Sequence, residues 1–161
     1  LGATLLRSDA VRLDISGGRP SEHLQDAYGG GIHDQQTTTA TYAEMLHRAG
    51  LLLQCGESVI LDASWTDRRW RQSARHLART AFSDVCELRC DVPPEVAAQR
   101  IRRRLDRGDD VSAATPEVAA RMAVDAHPWP SAATIDTRLD RAHTLTRALH
   151  AVAHARQRSC V

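Results

Sequence analysis

Apolar residues fall along this chain in two alternating patterns, short continuous runs and longer stripes spaced three and four positions apart. Ala3 to Arg7 predicts a short buried strand, and Ser8-Asp9 supplies an N-cap for a helix carrying Val11, Arg12 and Ile15. From Ser16 to Gln36, Gly17-Gly18, Pro20 and Gly29-Gly30-Gly31 break any period and predict a long surface loop. Tyr42, Leu46, Ala49 and Leu53 then form a helix stripe over Thr37 to Gln54, closed by Gly56. Ser58 to Ala63 is continuously apolar with a carboxylate near its end, the pattern of a strand covered on both faces with Asp62 at its carboxyl end. Thr66 or Asp67 can cap a helix whose stripe is Trp70, Ala74, Leu77, Ala78 and Ala81. Val85 to Cys90 predicts a third strand, and Pro93-Pro94 opens a helix that runs to about Asp106 before Gly108. Thr115-Pro116 opens another helix, which His127-Pro128-Trp129-Pro130 breaks. Ala133 to Thr137 predicts a fourth strand, and the final helix carries Leu145, Leu149 and Val152.

Strands alternating with helices imply an α/β fold in three layers, with one parallel sheet between helices. At 161 residues the chain predicts a single domain over its whole length. No apolar run approaches the roughly 20 residues that cross a bilayer. The chain opens at Leu1 without the basic start and long apolar stretch of a signal peptide, and reads as part of something longer.

Composition narrows the chemistry. All 21 basic residues other than histidine are arginine, which excludes lysine Schiff bases and any G-x-x-x-x-G-K-[ST] phosphate loop within these residues. The four cysteines, Cys55, Cys86, Cys90 and Cys160, form no C-x-x-C pair, so neither a zinc site nor a disulfide framework is indicated, and reduced, cytoplasmic thiols are expected. The net charge of +1 conceals a basic middle, in which residues 67 to 107 carry a surplus of arginine over acid. Arg100, Arg102, Arg103, Arg104 and Arg107 are too closely spaced for one helix face and suggest an anionic partner.

Ligands of open parallel sheets bind beyond the carboxyl ends of the strands, where Asp9 and Asp62 are predicted. One of them could accept a proton from a hydroxyl while Arg12, nearly one turn after Asp9, holds an anionic group. Asp9 can equally be read as an ordinary helix cap. Asp62, inside an apolar strand, would be costly to bury unless paired or near a metal. His150 and His154 lie four apart on a helix, but no third metal ligand accompanies them. Trp65, Trp70 and Trp129 beside the arginines could stack on bases, although Trp70 sits on the apolar stripe of its helix. A non-catalytic nucleic-acid or anion-binding module is therefore the alternative to an enzyme.

Three segments, in order and at their spacing, carry a resemblance. Leu5-Leu6-Arg7-Ser8-Asp9 with Arg12, Thr41-Tyr42-Ala43 leading to Gly56-Glu57-Ser58-Val59-Ile60-Leu61-Asp62-Ala63, and Arg89-Cys90-Asp91-Val92-Pro93-Pro94-Glu95 are similar to the small P-loop kinases of the AAA-type ATP-binding group. Some members of that group are fused to an aminoglycoside-phosphotransferase-like domain. The resemblance implies a P-loop NTPase-like fold and transfer of the γ-phosphate of ATP, with Mg2+, to a hydroxyl of a small molecule. It implies Asp9 as general base, Arg12 as anion holder and Asp62 as support for the magnesium site. A lid at about residues 100 to 115 would bring Arg100 and Arg104 over the phosphates, with Arg103 and Arg107 as nucleotide-binding neighbours. Arg68, Arg69 and Arg71 would line the acceptor pocket. The family's first strand, its phosphate-binding loop and its first helix have no counterpart after Leu1. The chain is therefore expected to be truncated at its N-terminus, to need that missing segment as a partner and to be inactive alone. In the family's strand order the lost strand is central, so the strands at Ser58 and Val85 would each lack a neighbour.

Overall fold

The computed structural model describes residues 2–17, 35–108, 110, 112 and 114–159. β1 (Ala3–Arg7) passes directly into α1 (Ser8–Ile15). The loop expected from Ser16 to Gln36 lies mostly outside the described residues. α2 (Gln35–Gln54) leads to β2 (Ser58–Asp62), α3 (Arg68–Thr80) and β3 (Leu88–Asp91). α4 (Pro94–Arg107), α5 (Pro116–Asp125), β4 (Ala133–Asp136) and α6 (Arg141–Ser159) complete the order.

Several expected boundaries are set by local chemistry. Asp67 caps α3 by accepting the N–H of Arg69 at 2.8 Å, and Thr115 caps α5 through the N–H of Val118 at 3.3 Å. Pro94 and Pro116 stand in the first turns of α4 and α5, where a missing N–H costs nothing, and Gly108 ends α4 in the left-handed region at φ 63°. The start of α1 differs from expectation. Arg7 occupies its N-cap and no side chain caps it, so neither Ser8 nor Asp9 is a capping residue.

All the strand pairing is parallel, but it divides into two sheets rather than the single sheet expected: β1 pairs with β2, and β3 with β4. Among the described residues each of the four strands is therefore hydrogen-bonded along one side only. The third strand begins at Leu88 rather than Val85, because Glu87 turns its carboxylate onto Arg75 and Ser131 and the ladder starts where Ala133 N–H reaches the Glu87 carbonyl. Val85 is 47% exposed.

The core forms where α1 and α2 pack on β1 and β2. Val11, Tyr42 and Met45 are buried there, with Leu6, Leu61, Ala63, Trp65 and Trp70 packed against them. The α2 stripe is centred on Thr41, Met45 and Ala49 rather than on Leu46 and Leu53, which are only half-buried. Trp70 stacks on Tyr42 at 5.0 Å between centroids and belongs to the core. The expectation of β2 buried on both faces fails. Register partners Leu5 and Ile60 are 54% and 44% exposed on the face turned away from that core. Leu145 and Leu149 of α6 are likewise exposed, although α6 packs on β4.

Candidate functional site

The parallel register sets Arg7 beside Asp62, and Asp9 lies in the first turn of the helix that follows the same strand end. The carboxyl ends of β1 and β2 therefore gather Arg7, Asp9, Arg12 and Asp62 at one edge. Asp9 Oδ1 accepts from Arg12 Nη1 at 3.2 Å, both side chains being largely shielded from solvent. Asp62 is not the buried carboxylate its apolar strand suggested. As the last residue of β2 its side chain is 60% exposed, 3.5 Å from Arg7 Nε. Exposure and a neighbouring guanidinium together remove the cost that burial would impose.

Arg7, which sequence reasoning passed over, is the electrostatic centre of this edge. Its Nη2 donates to Asp110 Oδ1 at 2.9 Å. Its guanidinium is held above the ordinary arginine range by that bond and, against partial burial, by the charges of Asp110, Asp62 and Asp9. The available signal was its position, since a cation ending one strand of a parallel pair meets whatever ends the next.

The segment after β2 is held under strain. Trp65 adopts φ 52°, unusual for a bulky side chain, and its N–H donates to the Tyr42 hydroxyl at 3.1 Å. That hydroxyl also lies 3.2 Å from Ser64 Oγ, while the Trp65 indole N–H reaches the Leu61 carbonyl at 3.4 Å. Burial pushes the Tyr42 phenol up, opposed by the hydrogen bonds from Ser64 and Trp65 and by the charge of Arg12. Tyr42 thus ties the strained turn after β2 to the helix beside Asp9 and Arg12.

The arginines of α4 divide by environment. Arg100 forks onto Thr137 at the end of β4, Nη1 to the hydroxyl at 3.2 Å and Nη2 to the carbonyl at 2.5 Å. Arg104 donates to the Ala114 carbonyl at 2.9 Å, while Arg103 and Arg107 are exposed. Part of the expected lid, at residues 109, 111 and 113, lies outside the described residues. The three arginines expected at an acceptor pocket do not act together. Arg68 is exposed and Arg69 pairs with Asp67 at 2.6 Å. Arg71 is buried under Trp129, 5.0 Å from the ring centroid, and donates twice to the His127 carbonyl. The His150 and His154 rings meet edge to face at 4.4 Å, and no group of three or more potential metal ligands occurs among the described residues.

Parallel strands joined through helices, with carboxylates and arginines gathered at one carboxyl edge, define an α/β protein with a charged strand-end edge. Residues 1–128 match the family model described as an AAA domain, and the chain belongs to that family. Uncharacterized proteins of Mycobacterium tuberculosis (strain H37Rv) and Mycobacterium bovis are each 33% identical over 150 residues, 93% of this chain. This chain spans only 30% of the length of those relatives. The crystal structure of a candidate kinase from Chloroflexus aurantiacus is similar at TM-score 0.62 and 20% identity, over 94% of this chain and 82% of the other. That likeness shows a shared α/β fold with parallel strands. No helix among the described residues is long and apolar enough to cross a membrane.

Proposed function

We propose that this chain supplies the acceptor side and the arginine-bearing α4 of an ATP-dependent kinase that phosphorylates a hydroxyl of a small molecule. The observation that carries the reading is the convergence of Asp9, Arg12 and Asp62 at one strand edge in a member of the AAA domain family. The acceptor hydroxyl loses its proton to the Asp9 carboxylate as its oxygen attacks the γ-phosphorus, and the bond to the departing ADP oxygen breaks. Arg12, 3.2 Å from the Asp9 carboxylate, orients it and neutralises an anionic group on the acceptor. Arg104 offers a guanidinium to the charge that spreads over the transferred group, and Arg103 and Arg107 extend the same basic surface.

These residues do not make a complete site for ATP or Mg2+. Without lysine the chain has no G-x-x-x-x-G-K-[ST] loop to cradle the nucleotide's phosphates, and among the described residues no group of three or more potential metal ligands includes exposed Asp62. No step is assigned to the metal here. We propose that a further strand and phosphate loop of the same protein complete the sheet between β2 and β3; the one-sided pairing of both strands supports this.

A nucleic-acid module keeps only the exposed arginines of α4 in its favour. Its stacking platforms are engaged elsewhere, Trp70 on Tyr42, Trp65 at the edge of the same ring and Trp129 under Arg71.

Steady-state phosphoryl transfer by the native-length protein tests the proposal. Asp9→Asn is expected to lower kcat by roughly 100-fold or more with ATP affinity nearly unchanged. Near-wild-type turnover would remove Asp9 from the chemistry.

A further inference from the structure

We infer that Arg7 is a positioning residue that straps the α4 side of the molecule to the carboxyl edge of β1 and β2 by holding Asp110 and Asp62 at once. Its Nη2 meets Asp110 Oδ1 at 2.9 Å across 103 positions of sequence, and its Nε lies 3.5 Å from Asp62 Oδ2. Asp110 follows the left-handed turn at Gly108, and its Oδ1 also accepts the Ser112 backbone N–H at 3.2 Å. Arg104 stands behind this connection on α4, bonded to the Ala114 carbonyl, with its Nε buried and unpartnered. Burial pushes the Asp110 carboxyl up, but the Arg7 hydrogen bond, the Ser112 N–H and the charges of Arg7 and Arg104 outweigh it and hold the group below the usual carboxylate range. The carboxylate is therefore charged at neutral pH and available to the strap.

A planar guanidinium with several fixed donors suits this task, because one side chain must satisfy two carboxylates that approach from different elements. An ammonium on a flexible stem would serve one of them. The consequence is geometric. The separation between the Asp9 and Asp62 edge and the arginines of α4 is fixed at Arg7, a residue that need not touch either substrate. This deepens the kinase reading and rests on it for the meaning of that separation, whereas the contacts themselves do not.

Hydrogen exchange at the Ser112 amide in the native-length protein reads the strap locally. Arg7→Gln and Asp110→Asn are each expected to speed exchange roughly two- to fivefold, the range of a partly exposed ion pair. The double variant is expected to be no faster than Asp110→Asn, which removes both the Arg7 pair and the carboxylate acceptor of the Ser112 N–H and leaves nothing further for Arg7→Gln to remove. Raising salt from about 0.05 to about 0.5 M is expected to speed exchange in the wild type and to leave Arg7→Gln unmoved. A general structural role of Arg7 would not produce that difference. Additive effects in the double variant, or singles that exchange like wild type, would overturn the strap. If Arg7→Gln fails to fold, Asp110→Asn with the salt series carries the same test. Absence of phosphoryl transfer by the wild type, with the coupling intact, would count against the kinase reading and leave the strap standing.

Discussion

Arg7 and Asp62 are register partners at the ends of adjacent parallel strands, with the arginine Nε 3.5 Å from the aspartate Oδ2. Parallel pairing brings like ends together, so the last residue of each strand and the first turn of each following helix share one edge. That single relationship brings Asp62 to the edge where Asp9 and Arg12 directly follow β1, although Asp62 is remote from both in sequence. The residue at the N-cap of α1 is Arg7, whose guanidinium only donates and so cannot cap the helix, and is paired with carboxylates.

Phe82 marks a position where a substitution is expected to help. After α3 the chain makes a Schellman turn, Phe82 N–H to the Arg79 carbonyl and Ser83 N–H to the Ala78 carbonyl, with Phe82 at φ 51°. α2 ends in the same pattern with Gly56 at φ 79°. The Phe82 side chain is 99% exposed and loses no packing if removed. Phe82→Gly is expected to relieve about 1 kcal/mol of left-handed strain and raise Tm by about 2–4 °C, measured by thermal unfolding.

Glu87 gives the fold an acid-sensitive joint. Burial raises its carboxyl, but the Arg75 fork at 2.7 and 2.8 Å and the hydroxyl of Ser131 bring it below the ordinary value of 4.5. A carboxyl lowered by folding adds stability that is full above its unfolded pKa and is lost as pH falls through the folded one. Stability is therefore expected to decline from about pH 4.5 downward. In Arg75→Gln burial is opposed only by Ser131, so the folded carboxyl moves up toward or past its unfolded value: stability at neutral pH is expected to fall, and the acid decline due to Glu87 to shrink or reverse. Unfolding followed across that range would show it.

Arg71 is a buried guanidinium whose partners are a ring face and the His127 carbonyl, not a carboxylate. The same loop is fastened by His127 N–H to the Thr66 carbonyl and by Arg68 N–H to the imidazole Nδ1 at 3.2 Å. Arg71→Ala removes the cation–π contact and strands a carbonyl, at an expected cost of about 2–3 kcal/mol in denaturant unfolding. An effect below about 0.5 kcal/mol would show that the backbone bonds alone hold the loop.

The free edges of β2 and β3 predict behaviour in solution. Unpaired strand groups beside exposed Leu5 and Ile60 form a template for association. The 161-residue chain is expected to aggregate or to unfold broadly, and the native-length protein to unfold sharply. A sharp, reversible transition from the chain alone would show that no strand is needed between β2 and β3.

The sequence by itself determined the kinds of element and most of their ends, because those rest on local chemistry. Pro94 and Pro116 start helices, Asp67 and Thr115 cap them, Gly56 and Gly108 close them, and short apolar runs before each helix form strands. It also placed Asp9 and Asp62 at strand ends, since position within a run is readable in one dimension. Tertiary structure decided which residues those carboxylates meet. Asp110 reaches Arg7 across 103 positions, and the Tyr42 hydroxyl holds the turn at Trp65 across 23, distances over which no periodicity carries information. The same holds for solvent exposure. The apolar run of β2 announced burial on both faces, yet Ile60 and Leu5 are exposed, because a strand's composition records the neighbours it is suited to and only the assembled sheet determines which are present.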